Sequence, residues 1–277
     1  MKELSTMPKS TKNLIHSVRY YNCGHCVNRL GFAYRGHSFK KRIFPAGVFL
    51  IEHATKGYVL FDTGYSTDIY TRGIRGWIYR TLNPTYVRKD EEIAKQLKRD
   101  GVSTSDIAYV IVSHLHPDHV GGLKSFPKSK IILSANTHRT QAKPSFSDLI
   151  FKTLLPNKFE SQIVELEAMG LKQRTVRSLR GYDLFGDGSI LIAHLEGHTH
   201  GHLGTLVADK LLLAGDACWG GDLLDASRNM RSIVKLIHHN HASYIDSLDL
   251  LQSLRKKGVR LCFSHDIYSS KELLDVE

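Results

Sequence analysis

Residues 113–119 read Ser-His-Leu-His-Pro-Asp-His. Four side chains able to donate an electron pair to a metal, His114, His116, Asp118 and His119, fall within six residues. A helical metal motif spaces its histidines at i and i+4. His114 and His116 stand two apart instead, the spacing that turns both side chains to one side of an extended segment. Pro117 biases His116 away from helical geometry. Asp118 and His119 are adjacent and cannot continue that alternation. One tetrahedral ion collects four donors from so tight a turn only with difficulty. The economical arrangement is two ions, with His114 and His116 on one and Asp118 and His119 on the other. The chain holds 16 His, more than its Pro, Met and Trp together. Histidine is the commonest metal ligand and the usual proton carrier near neutral pH.

Such a string needs rigid elements behind it. The short apolar run Ala108–Val112 predicts a strand that leads into the cluster. Ala46–His53 and Tyr58–Phe61 read as two strands joined by a turn at 54–57, the second ending in Asp62-Thr63-Gly64. Lys130–Leu133, Ile190–Leu195, Lys210–Ala214 and Val259–Phe263 read as further strands. Asp90–Asp100 predicts a helix with Asp90 as N-cap and Gly101 as its stop. Ser243–Lys257 predicts another, with Ile245, Leu248, Leu251 and Leu254 toward the core. Residues 65–89 read as irregular, and 136–180 as helical patches without a long strand. Polar, ligand-type residues follow the C-terminal ends of five apolar strands, at Asp62, His114, His198, Asp216 and His265. Layered α/β proteins build ligand sites from such loops, because the strands hold them rigidly. One site assembled from distant segments is expected.

The His-x-His-x-Asp-His string resembles the signature of the metallo-β-lactamase-fold hydrolases, which include glyoxalase II, ribonuclease Z and the N-acyl-homoserine lactonases. The likeness extends over roughly residues 40–270. Gly197-His198-Thr199-His200-Gly201-His202 is similar to the family's Gly-His-Thr-x-Gly-His segment, whose first His is a ligand. Leu213-Ala214-Gly215-Asp216 resembles the strand ending in the carboxylate shared by two metals. Phe263-Ser264-His265-Asp266 resembles the last family motif. Phe61-Asp62-Thr63-Gly64 resembles the early motif whose Asp orients a ligand from behind. The resemblance implies an αββα sandwich of α/β class, two sheets face to face with helices outside. It also implies one ion on His114, His116, His198 and Asp216, and another on Asp118, His119, His265 and Asp216. His202 is expected to support the ligands rather than bind metal. The nearest likeness is to the N-acyl-homoserine lactonases, on the short His265-Asp266 end and the Cys23-Gly24-His25-Cys26 segment. Those lactonases carry a substrate-contacting Tyr three residues after the shared Asp, where this chain has Trp219. Trp219 is therefore a substrate-binding candidate with an N–H donor but no phenolic O–H.

Two divalent metals lower the pKa of a shared water toward neutrality, which gives a hydroxide able to attack an ester or lactone carbonyl. Asp118 is the candidate proton carrier to the leaving group. No Gly-x-Ser-x-Gly elbow is present, and this chemistry needs no serine nucleophile. Nitrogen and carboxylate ligands without Cys suit zinc and permit iron, manganese or cobalt. The resemblance also keeps two other activities in view. One is a phosphodiester or RNA hydrolase of the ribonuclease Z type, which the formal charge of +11 would favour. The other is a glyoxalase II-like or mononuclear iron persulfide dioxygenase.

The 277 residues carry 42% hydrophobic and 23% charged side chains, ordinary for a globular chain and unlike a disordered one. One domain over 1–277 is expected, with 136–180, including Phe146, Phe151 and Phe159, read either as a capping insertion or as plain packing. Four Cys are too few for a disulfide scaffold, and Cys23 and Cys26 read as ordinary packed or surface thiols. His238-His239-Asn240-His241 reads as a solvated turn. The aromatics and arginines of 65–89 read as a loop, a channel wall or a homodimer contact. No apolar run spans a bilayer, and the polar N-terminus lacks a signal-type core. A soluble cytoplasmic protein acting on a small molecule is expected, with no membrane partner. Nucleic acid is disfavoured because the basic residues are dispersed, with no run longer than Lys40-Lys41-Arg42.

Overall fold

The computed structural model describes residues 14–145, 147–235 and 238–275. The N-terminal segment 1–13 and Phe146 lie outside the described residues. Seven strands come first: β1 (Ile15–Arg29), β2 (Lys41–His53), β3 (Gly57–Phe61), β4 (Thr85–Tyr86), β5 (Ile107–Ile111), β6 (Lys130–Leu133) and β7 (Ile163–Glu165). Then come β8 (Gln173–Val176), β9 (Leu179–Asp183), β10 (Ile190–His194), β11 (Leu203–Val207), β12 (Leu211–Leu213), β13 (Arg260–Cys262) and β14 (Glu272–Asp275). One sheet runs β14-β1-β2-β3-β5-β6-β7, with β4 also on β1, and the other runs β13-β12-β11-β10-β9-β8.

Alternation along the strands builds the layers. Phe49 and Ile51 of β2, Val59 and Phe61 of β3, and Ile111 of β5 face inward. They meet Ile190, Ile192, Leu203, Val207 and Leu213 of the second sheet. The opposite residues of the same strands, Val48, Leu50, Leu60 and Val110, pack outward against Ile93 and Leu97 of helix Ile93–Arg99. Leu191, Ala193, Leu206 and Leu212 pack outward against Leu248, Leu251 and Leu254 of helix His241–Lys256. The result is the expected αββα sandwich.

Strand direction brings the five expected loops to one edge. β3 and β5 are parallel, and β12 and β13 are parallel. β10 and β12 are both antiparallel to β11 and so run the same way. The two sheets are stitched there by Leu203 N–H to Ser113 O (3.0 Å) and Gly47 N–H to Ser264 O (2.9 Å).

Several local expectations change. Residues 65–89 are not irregular throughout: a 3₁₀ turn Thr67–Thr71, a ten-residue helix Gly73–Leu82 and β4 occupy them. Asp90 is not an N-cap. It sits in a 3₁₀ turn Lys89–Glu91, and Glu92 precedes the helix with its carboxylate accepting from Thr67 and Lys89. The second long helix begins at His241, earlier than expected, because the Asn240 side chain accepts from Ser243 N–H. Ile245 is only partly buried, and Tyr244 takes the core position.

Candidate metal centre

Asp62 ends β3 in the left-handed region (φ 60°). It is fully buried. Its Oδ1 accepts from Ser113 N–H (2.8 Å), and its Oδ2 accepts from Ser113 Oγ–H (2.8 Å). Oδ2 also accepts from His119 Nδ1 at 2.7 Å. That bond commits the ring proton of His119 to Nδ1 and leaves the Nε2 lone pair for the cavity side. Since Ser113 Oγ spends its proton on Asp62, it accepts from His114 Nδ1 (3.0 Å) and fixes the same tautomer there. His265 gives its Nδ1 proton to Pro45 O (2.7 Å). His116 stands in extended geometry just before the short helix Pro117–Val120, with Pro117 at that helix's first position. The helix carries Asp118 and His119, and the His119 ring packs 4.1 Å from that of His114.

The second sheet brings the partners. Gly197 has φ 121°, and a Cβ there would lie 2.1 Å from Tyr244 N. Only glycine lets the loop before His198 approach helix His241–Lys256 so closely. Gly215 (φ 53°) gives Asp216 a similar turn against His202, whose ring would sit 2.9 Å from an added Cβ. His202 Nε2 accepts from Asp216 N–H (3.0 Å), and burial lowers its pKa to about 4. His202 thus holds the Asp216 backbone as a neutral imidazole.

Donor atoms of His114, His116 and His198 lie within 4.8 Å of one another, as do those of Asp118, His119 and His265. A third set, His114, His119 and Asp216, overlaps both. Asp216 sits between the groups. Its Oδ1 is 3.3 Å from His119 Nε2, and its Oδ2 is 3.1 Å from His265 Nε2 and 3.5 Å from His198 Nε2. Asp118 Oδ2 lies 3.7 Å from His119 Nε2 and 3.8 Å from His265 Nε2.

The cluster's polar atoms fit a divalent ion. His114 Nε2, His119 Nε2, both ring nitrogens of His198 and Asp216 Oδ1 are buried without a hydrogen-bond partner, a costly state unless something else is bound. Burial, with the neighbouring imidazoles, holds His114 well below the ordinary histidine range, and burial does the same to His198. Both are neutral electron-pair donors. Burial works the same way on His119 and His265, but the carboxylates of Asp216 and Asp118 outweigh it and raise both, with Asp62 adding to His119. A field that favours positive charge at these rings also favours a cation.

A cavity of about 600 Å³ opens onto Asp118, Asp216 and His265 and is walled by apolar residues such as Leu30, Phe44, Ile78, Leu149 and Phe151. Trp219 lines it, with its indole 6.2 Å edge-on from the His198 ring. Tyr79 adds a phenol, buried and 2.8 Å from Tyr65 Oη. Of the aromatics of 136–180, Phe151 lines this cavity and Phe159 packs in the outer core.

His238 corrects the expectation of a solvated turn: it is buried and packs edge-on against His198 and Trp219. His239 is exposed and stacks on His200. Cys23 and Cys26 are buried free thiols on β1, as expected. Tyr79 is one of the 65–89 aromatics whose channel-wall reading fits its place here, whereas nothing in the sequence singled out Phe44 and Leu149 as cavity walls.

The model of the metallo-beta-lactamase superfamily matches residues 44–265. The chain belongs to that superfamily. It is a metallo-hydrolase of that fold. A probable metallo-hydrolase of Mycobacterium tuberculosis is 27% identical over 249 residues, 87% of this chain and 76% of that protein. An N-acyl homoserine lactonase, AttM, of Azorhizobium caulinodans is 27% identical over 237 residues, covering 80% of this chain and 82% of its own. Among solved structures, an N-acyl homoserine lactone hydrolase with N-hexanoyl-L-homoserine at its catalytic metal centre superposes with TM-score 0.67. It shares 20% identity and covers 92% of this chain and 94% of its own. That likeness is one of fold.

Proposed function

We propose that the protein is a dinuclear metal-dependent hydrolase that opens acyl esters or lactones. One ion would be held by His114, His116, His198 and Asp216, and the other by Asp118, His119, His265 and Asp216. The observation that carries this reading is the position of the Asp216 carboxylate, within 3.5 Å of ring nitrogens from both groups. Nitrogen and oxygen donors without Cys suit zinc and admit iron, manganese or cobalt. When bound, such ions supply a water acidified to near pH 7 and polarise the carbonyl under attack.

The chain's own residues do the rest. Asp62 and Pro45 O hold His119 and His265 by their Nδ1 protons and aim their Nε2 atoms inward. His202 fixes Asp216 through its backbone N–H. Asp118 lines the cavity and carries the proton to the departing alkoxide. Trp219 presents an apolar wall and one N–H donor to the bound substrate. Most of the cavity lining is aliphatic or aromatic, which favours an acyl chain, and Arg29 and Arg75 stand among it.

The test is a turnover screen of zinc-loaded protein against N-acyl lactones, aryl esters, thioesters and phosphodiesters. Lactones or esters with an acyl chain should be hydrolysed fastest. A preference for phosphodiesters would reverse the reading.

A further inference from the structure

Nine large hydrophobic side chains are strongly exposed among the described residues, and eight of them come from two short segments. Phe32, Phe39 and Ile43 belong to the first. Tyr70, Ile74, Trp77, Leu82 and Tyr86 belong to the second. The segments are neighbours. His25 and Cys26 of β1 pair with Tyr86 and Thr85 of β4, and Asn28 Nδ2 donates to Asn83 Oδ1 at 3.0 Å. The rings of Phe32 and Phe39 are in edge contact at 5.1 Å. Phe32 and Leu82 also line the 600 Å³ cavity, so the two segments meet at its mouth.

The two segments themselves carry charge of one sign. Residues 29–43 contain Arg29, Arg35, Lys40, Lys41 and Arg42 and no acid, and residues 70–88 contain Arg72, Arg75, Arg80 and Arg88 and no acid. Arg42, Arg72 and Arg88 reach carboxylates of flanking segments, Asp222, Asp68 and Asp90. Arg35, Lys40 and Lys41 make no ion pair among the described residues. Arg80 lies over the Tyr70 ring at 5.3 Å, mixing cation and aromatic on one face.

We propose that this face docks the enzyme on an anionic lipid surface, from which an acyl substrate enters the cavity. Exposed Trp, Phe, Leu and Ile beside Lys and Arg are what a headgroup boundary accommodates: apolar groups enter the acyl region and cations meet the phosphates. A second copy fits poorly, since a two-fold interface sets the patch against itself and positive would face positive. Nucleic acid would use the cations and stack on Trp77 and Tyr86, but gains nothing from Ile74 and Leu82. No helix among the described residues is long and apolar enough to cross a membrane, so the contact is peripheral. It departs from the expectation of no membrane partner. The entry of an acyl substrate rests on the proposed hydrolase activity; the docking does not.

The experiment is co-sedimentation of the full-length, zinc-loaded protein with vesicles rich in phosphatidylglycerol and with vesicles of phosphatidylcholine alone. Binding is expected to the anionic vesicles only and to fall with added salt. Lys40→Ala with Lys41→Ala should weaken it roughly 25-fold, about 5-fold per charge. Ile74→Ser with Trp77→Ser should weaken it at least about tenfold while the melting temperature stays unchanged, because both side chains are exposed. Sedimentation reads docking whether or not a lactone is cleaved, so a failed turnover screen leaves this result standing. Wild-type protein that stays in the supernatant, or a Ser variant that sediments as before, would overturn the proposal. So would binding of a single-stranded oligonucleotide without vesicle binding, or a dimer dissolved by the same substitutions in protein that ignores vesicles.

Discussion

The Asp62 carboxylate and the His119 ring meet in a 2.7 Å hydrogen bond buried from solvent on both sides. That bond selects the His119 tautomer and so decides which nitrogen faces the cavity. Asp62→Asn can present its NH₂ to Nδ1 and flip the tautomer, which would turn a proton into the site. Metal affinity at the site of Asp118, His119 and His265 should fall about 10- to 100-fold. Competition with a chromophoric chelator checks it. Affinity unchanged from wild type would remove the orienting role.

Asp216→Asn keeps the side chain's size and removes the charge placed between the two histidine groups. It should lose more bound metal than His265→Ala, since Asp216 is assigned to both ions and His265 to one. Metal analysis after dialysis against buffer separates the two. Equal retention in wild type and Asp216→Asn would refute the sharing.

Trp219→Ala removes an indole that lines the cavity beside His198. Metal content should be intact while kcat/KM falls by about 5- to 200-fold, the range of a lost apolar contact or hydrogen bond. Trp219→Tyr should retain activity. Unfolding on a melting curve would make Trp219 a packing residue instead. Normal kinetics in folded, metallated Trp219→Ala would exclude it from substrate contact.

His138, on helix Ala135–Ala142, bonds Glu165 through Nδ1 (2.7 Å) and Glu160 through Nε2 (2.9 Å). These carboxylates raise its pKa above the ordinary histidine value. The stabilisation is therefore complete below about pH 6.5 and is lost as pH rises through the folded-state pKa. His138→Gln should cost roughly 0.5–1 kcal/mol in mild acid, as for a partly exposed pair, and little in alkali. Denaturant melts at both pH values test it; an equal loss at both would contradict the ion-pair account.

The clustering of donor side chains was legible because its chemistry is local. A string of donors two apart, broken by Pro117, leaves few geometries, and apolar strand ends announced the other partners. β1 was not legible. Its period-2 pattern is interrupted by register shifts between Ile15 and Ser17 and between Asn22 and His25, the second containing Gly24 at φ 88°. The helix Gly73–Leu82 hid for another reason: only Gly76 and Tyr79 are buried, and Ile74, Trp77 and Leu82 face outward, so no apolar stripe marks it. His238 could not be told from its solvated neighbours because its burial depends on His198 and Trp219, which lie far away in the chain.

The central claim is that seven side chains from four segments hold two ions around Asp216. Elemental analysis of protein purified without chelator and titrated with zinc measures this directly. The account predicts a plateau at two ions per chain. It also predicts that Asp216→Asn fails to reach that plateau. A firm plateau at one ion, unchanged by further zinc, would contradict it.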